Sequence, residues 1–203
     1  MLDYTIENQL HDEGYKVVCG IDEAGRGPLC GPVFAAACIL PDGLALEGLN
    51  DSKKLTPKKR DKLFDLICEN AIAYCIASAS VEEIDELNIL EADLLAMRRA
   101  IDGLAVKADF ALIDGNIARG FQIPARAVIG GDAKSPSIAA ASILAKVARD
   151  RDCITLDEQY PQYGIAKHKG YGTKQHMDAL RTYGPSPIHR KQFIRFLEKD
   201  ANK

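Results

Sequence analysis

Residues 20–27 read Gly20-Ile21-Asp22-Glu23-Ala24-Gly25-Arg26-Gly27, directly after the apolar run Tyr15-Lys16-Val17-Val18-Cys19. The run reads as a buried strand over 15–21, so two adjacent carboxylates arrive where a strand ends. Successive side chains on a strand point to opposite faces, so Asp22 and Glu23 share one site only if the chain bends there. Gly25 and Gly27 permit a bend, and without a Cβ they let another backbone approach closely. A paired acid beside a glycine-flanked arginine suits metal-assisted chemistry on a phosphate. An Asp-Glu pair alone is more often a charged turn closing a hairpin.

The design recurs twice. Phe110-Ala111-Leu112-Ile113-Asp114-Gly115-Asn116 and Ala127-Val128-Ile129-Gly130-Gly131-Asp132 each end an apolar run on an acid next to glycine. In open α/β sheets, ligands sit beyond the carboxyl ends of the strands. If the three strands are neighbours, Asp22, Glu23, Asp114 and Asp132 converge. Like charges at that spacing raise one another's pKa, and hard divalent cations relieve them. Carboxylate oxygens suit magnesium or manganese. Singly, each strand-end acid is a turn former; three together, with no softer ligand nearby, point to a metal site.

Strands are expected over 15–21, 32–40 and 72–80, then near 109–113 and 126–129. Thr56-Pro57 reads as the N-cap and first residue of a helix with Leu63, Phe64, Ile67 and Ala71 on its buried face. Residues 81–105 read as helical, with Ile89, Leu90, Leu94, Met97 and Ile101 at helical spacing. Ser135-Pro136 opens a helix rich in small apolar residues, whose N-terminal dipole favours phosphate beside Asp132. Two more helices are expected over 173–183 and 188–199. Three antiparallel strands followed by helix-linked strands make a mixed α/β sheet flanked by helices. One domain over 1–203 is expected, with about 152–203 forming a helical C-terminal extension.

In their order along the chain, these segments resemble bacterial ribonuclease HII. They are Gly20-Ile-Asp22-Glu23-Ala-Gly25-Arg26-Gly27-Pro-Leu, Asp51-Ser-Lys53-Lys54-Leu, Leu112-Ile-Asp114-Gly-Asn116 and Gly131-Asp132-Ala-Lys134-Ser. Ala139-Ala-Ala-Ser142-Ile-Leu-Ala-Lys146-Val-Ala-Arg149-Asp150, Lys167-His-Lys169-Gly-Tyr171-Gly-Thr173 and Gly184-Pro-Ser-Pro-Ile-His189-Arg190 complete the set. Cys30, where the family often has alanine, and Gly130, where many members carry a basic residue, depart from the pattern. The resemblance implies a ribonuclease H-like fold and an endonuclease for the RNA of RNA/DNA hybrids and for single ribonucleotides embedded in duplex DNA. It implies Asp22, Glu23, Asp114 and Asp132 as ligands of two Mg2+ or Mn2+ ions, with 5′-phosphate and 3′-hydroxyl products. It assigns 2′-hydroxyl recognition to the Gly25-Arg26-Gly27 backbone and junction sensing to Tyr171, whose other reading is a buried loop anchor. Ser52, Lys53, Lys54, Lys134 and Lys169 are expected phosphate contacts.

Composition bounds the reading independently. The chain has 203 residues, 47% hydrophobic and 27% charged, an ordinary composition for a globular domain. No apolar stretch reaches a membrane span, and the N-terminus lacks the pattern of a signal peptide. Six cysteines without a Cys-x-x-Cys pair indicate buried thiols rather than disulfides or zinc. A cytoplasmic monomer is expected. The net charge of −3 hides an asymmetry: residues 1–133 carry 13 Lys or Arg against 22 Asp or Glu, the remainder 13 against 7. Such a division points toward a polyanion, although lysine-rich surfaces are most often only solvated. His168, His176 and His189 read as structural or phosphate-facing rather than catalytic. Gly130-Gly131-Asp132-Ala133-Lys134-Ser135 is not a P-loop, because Ala133 stands where glycine must precede the lysine. A non-catalytic RNA-binding module leaves four inward acids unexplained. A DNA-cutting nuclease of the same fold is the nearest enzymatic rival.

Overall fold

A five-stranded mixed sheet, in the order β3-β2-β1-β4-β5, forms the centre of the computed structural model, which describes residues 2–49 and 55–197. The strands are β1 Val18–Ala24, β2 Val33–Ile39, β3 Ala73–Ala79, β4 Phe110–Asp114 and β5 Ala125–Val128. β1, β2 and β3 run antiparallel, while β4 and β5 continue parallel to β1. Every expected strand is present, and the ribonuclease H-like mixed sheet is the observed architecture.

β1 ends later than the sequence indicates. Asp22, Glu23 and Ala24 pair with Ala36, Ala35 and Phe34 of β2, so both acids lie inside the ladder and no bend separates them. They therefore point to opposite faces, and the turn comes at Gly25, with φ of +104°. The two faces carry different cores. Cys19 and Ile21 pack toward helix α4 (Ile89–Asp102), whereas Ala36 and Cys38 of the neighbouring strand pack against α2 (Pro57–Asn70) and α5 (Pro136–Gln159).

Local chemistry explains the helix ends. Thr56 caps α2, accepting from the Lys59 N–H, with Pro57 first in the helix as expected. The region 81–105 is not one helix. It divides into α3 (Val81–Leu87) and α4 at Asn88, whose φ is +74° and whose carboxamide oxygen accepts from the Leu90 and Glu91 N–H groups. With ψ of 165° this is a backbone that residues other than glycine rarely adopt, and the apolar periodicity on both sides conceals the break. Helix α1 (Thr5–Asp12), absent from the sequence reading, buries Leu10, and its Glu7 Oε1 accepts from Ser135 Oγ at 2.6 Å at the start of α5.

α5 fixes the site. A Cβ on Gly20 would lie 2.1 Å from the Ser137 carbonyl carbon, so β1 touches the helix backbone there. The side chain of Ser142 bonds Asp22, and Arg149 Nε lies 2.3 Å from where a Cβ on Gly25 would stand. Two residues of strand cover about 6.6 Å and the four to five helical residues from 137–138 to 142 about 7 Å. The same match holds from 22 to 25 against 142 to 149. Helix and strand therefore run side by side in one direction, which requires the small, fully buried Ala139, Ala140, Ala141 and Ala145.

α5 passes unbroken through residue 152. After it come a 3-10 turn at Pro161–Tyr163, the short α6 (Ile165–His168) and α7 (Lys174–Tyr183). The helix expected over 188–199 does not begin at 188. Residues 191–193 form a 3-10 turn after the Cys30–His189 bridge, and helix reappears only at 196–197, the last described residues. Main-chain pairing to the Gly25–Pro32 connection holds that segment extended. Among the described residues no helix is long and apolar enough to cross a membrane.

Candidate active site

β1 and β4 pair in parallel as far as Ile21 and Ile113. The next residues, Asp22 and Asp114, therefore stand as neighbours at the carboxyl end of the sheet, on the face opposite the core that holds the two isoleucines. Asp114 Oδ1 accepts the Gly131 N–H at 2.6 Å, which lays the 3-10 turn Gly131–Ala133 against the end of β4. A Cβ at Gly131 would lie 2.5 Å from Ile138 Cδ1 and 3.3 Å from Asp114 Oδ1, so a larger residue there would have to push the tip of Ile138 aside. Asp132, next in that turn, is buried.

Asp22 is 4% exposed. Burial pushes its carboxyl well above the usual carboxylate range; Glu23 and Asp114 add to this, while the Ser142 hydroxyl and the Glu23 N–H oppose it. Among the described residues no ion pair reaches Asp22. Glu23, on the other face, meets Arg26 Nη1 at 3.6 Å, and Arg26 Nε lies 3.4 Å from Asp93 Oδ2. Asp93 is a fifth acid at the site, buried on α4, with Oδ1 unpartnered among the described residues. Burial first, then Glu23, raise it to about 8 against the pull of Arg26. The sequence signal for it is an acid at position 93 within the apolar stripe Leu90, Leu94, Met97. Asp22 and Asp114 on one face, with Asp132 alongside, are hard oxygen donors that fit divalent cations. Glu23, whose charge also raises Asp22, could join them only by reaching around the strand end from the other face.

The Gly25-Arg26-Gly27 turn borders this cluster. Gly25 must be glycine twice over: its φ is +104°, and Arg149 occupies the space a Cβ would take. Arg149 is buried, donates from Nη2 to the Lys169 carbonyl at 2.8 Å and lies 6.0 Å from the Tyr171 ring centroid. Tyr171 Cε1 sits 3.4 Å from where a Cβ on Gly27 would stand, and the residue is 47% exposed. A surface ring over a glycine is not a buried anchor, and the fold brings Tyr171 to the 25–27 turn over 140 residues of sequence.

The expected phosphate contacts divide. Ser52, Lys53 and Lys54 lie outside the described residues. Lys134 donates to the Ile129 carbonyl at 2.7 Å, within its own turn. Lys169 lines a groove of about 530 Å³ with Arg60, Lys146 and Arg151. The three histidines are buried and bonded to one another or to main chain, a structural role. Cys30, His176 and His189 place a thiol and two ring nitrogens within 4.8 Å of one another, a grouping their sequence spacing does not reveal. All six cysteines are free.

Comparison with known proteins agrees with this architecture. The family model described as Ribonuclease HII matches residues 19–196. A Ribonuclease HII of Desulfitobacterium hafniense is 59% identical over 187 residues, covering 92% of this chain and 72% of its own. One from Caldicellulosiruptor bescii is 52% identical, covering 95% of this chain and 93% of its own. The crystal structure of the ribonuclease H2 from Pyrococcus horikoshii superposes with a TM-score of 0.75 at 29% identity, over 93% of this chain and all of that one. With strand-end acids, a glycine-cradled turn and this degree of likeness along nearly its whole length, the chain belongs to the ribonuclease HII family and is an enzyme of the ribonuclease H class.

Proposed function

We propose that this enzyme hydrolyses the RNA strand of RNA/DNA hybrids and nicks duplex DNA on the 5′ side of a single embedded ribonucleotide. The observation that carries the reading is the neighbouring of Asp22 and Asp114 at two parallel strand ends, beside a turn able to meet a ribose. Two divalent ions, magnesium or manganese, are the cofactor this donor set fits; when bound they supply an acidified water and charge stabilisation at the leaving 3′-oxygen. Asp22, Glu23, Asp114 and Asp132 would hold them.

The chain's own groups select and align the substrate. The backbone of Gly25, Arg26 and Gly27 meets the 2′-hydroxyl, which distinguishes RNA from DNA as both donor and acceptor. Tyr171 packs on the sugar next to it and reports the passage from ribose to deoxyribose. Ser52, Lys53, Lys54, Lys134 and Lys169 hold backbone phosphates, which position the duplex without reading bases. Arg26 lies between Glu23 and buried Asp93, in reach of both carboxyl groups.

The test is a DNA duplex carrying one ribonucleotide, incubated with wild type and Asp22→Asn. The expected result is nicking 5′ of the ribonucleotide that needs magnesium or manganese and leaves 5′-phosphate ends. Undiminished cutting by Asp22→Asn, or cutting of an all-DNA duplex by wild type, would overturn the reading.

A further inference from the structure

Arg190 is fully buried at 0% exposure, and no carboxylate lies within ion-pair distance of it among the described residues. Its bonds all go to carbonyls of one segment. Nε donates to Gly31 O at 2.9 Å, Nη1 to Arg26 O at 3.0 Å and Pro28 O at 2.9 Å, and Nη2 to Gly25 O at 2.7 Å and Pro32 O at 3.2 Å. Five donors thus meet five acceptors spread over eight residues of the connection between β1 and β2. A guanidinium is the only side chain with that many donors in a rigid plane.

The same connection is sewn to the C-terminal segment by its main chain. Leu29 N–H donates to Gly170 O, Arg190 N–H to Leu29 O and Gly31 N–H to Ile188 O. Gly25, Arg26 and Gly27, by contrast, donate no backbone hydrogen bond among the described residues. Their carbonyls at 25 and 26 are drawn inward, which leaves the N–H groups of this turn as the ones available to a ligand.

We propose that Arg190 is a positioning residue for ribose recognition: by gathering the carbonyls of residues 25–32 it aims the N–H groups of the Gly25-Arg26-Gly27 turn at the substrate's 2′-hydroxyl. It touches neither substrate nor metal and acts only through the turn. The sequence motif around Arg190 sits 164 residues from the turn it shapes. The inference rests on the ribose-reading role given to that turn above. Lysine in its place brings three donors where five are used, so at least two carbonyls lose their partner. A freed carbonyl rotates its peptide, and with it the neighbouring N–H.

The experiment pairs hydrogen exchange with substrate discrimination in the full chain. In wild type the Leu29 and Gly31 amides should exchange as slowly as those of β1, a measurement that needs no variant. In Arg190→Lys they should exchange at least about tenfold faster. The preference for a ribonucleotide over a 2′-fluoro nucleotide at the cleavage position should fall about tenfold, through kcat more than KM. Fast exchange of Leu29 and Gly31 in wild type would overturn the proposal. So would an Arg190→Lys enzyme with unchanged exchange and unchanged discrimination. If wild type cuts neither substrate, the functional reading fails instead, while the exchange data still judge the hold of Arg190 on the turn.

Discussion

Asp22 and Asp114 occupy equivalent places on adjacent parallel strands, one residue past the last paired couple, Ile21 and Ile113. That register is set by apolar packing, since both isoleucines are fully buried in the core on the α4 side. Slipping β4 by one residue would turn Asp114 to the other face. The neighbouring of Asp22 and Asp114, on which the proposed function rests, is therefore a by-product of how the hydrophobic strands must pair.

Replacing Asp22 with asparagine separates function from stability. The carboxamide keeps the bonds with Ser142 and the Glu23 N–H while removing the charge that burial and its acidic neighbours penalise. An acid whose folded pKa lies above its unfolded value destabilises the fold as pH rises through that window. Asp22→Asn should thus cut metal-dependent cleavage to below about a thousandth. Its melting temperature in chelator at pH 7.5 should equal or exceed that of wild type. A lower one would show that the charge is compensated within the protein.

Gly20→Ala tests the close approach of α5. The added methyl would sit 2.1 Å from the Ser137 carbonyl carbon and 2.2 Å from the Ile138 nitrogen, both backbone atoms of a buried helix. Neither can yield without moving α5 away from β1, so a loss of about 3 kcal/mol or more is expected. Chemical denaturation measures it, and a loss under about 1 kcal/mol would contradict backbone contact between β1 and α5.

The sequence reading located the strands because they are apolar runs ending in acids, and it located the capped helices because Thr56-Pro57 and Ser135-Pro136 announce themselves. It placed the end of β1 too early, since Asp22 and Glu23 are polar where strand continues, held there by pairing with Ala36 and Ala35. It ran α3 and α4 together because Asn88 lies inside an uninterrupted apolar period. The roles of Asp93, Arg149 and Arg190 are not legible in the sequence: each is a charged residue whose partners are main-chain atoms or residues far along the chain. No local pattern encodes that kind of partnership.

Tyr171→Ala should leave stability nearly untouched, since the ring is 47% exposed and rests on Gly27. A change within about 0.5 kcal/mol is expected for such a surface position. Activity should fall chiefly on duplexes with a single ribonucleotide and much less on long hybrids, where no ribose-to-deoxyribose junction is needed. Equal loss on both substrates would remove Tyr171 from junction sensing.

His189 gives the enzyme an acid limit distinct from the carboxylates. Its Nδ1 lies 3.1 Å from the Ser186 N–H, its Nε2 lies 3.2 Å from His176 Nε2, and His176 Nδ1 donates to the carbonyls of Gly170 and Tyr171. Burial, then the proximity of His176, lower His189 to about 4 against a Ser186 bond that opposes them. A folded value below the unfolded 6.5 means the unfolded chain takes up the proton first. The stabilisation is whole above pH 6.5 and drains away as pH falls toward 4, by about 3 kcal/mol at the end of that window. Unfolding free energies at pH 7 and pH 4.5 should therefore differ, and the difference should shrink in His189→Gln. A histidine proton resonance of His189 titrating near 6.5 in the folded protein would refute this account. Because folded His189 stays neutral until about pH 4, the bonds from His176 to the carbonyls of Gly170 and Tyr171 persist through this window, so the junction preference of the folded enzyme should hold while stability falls.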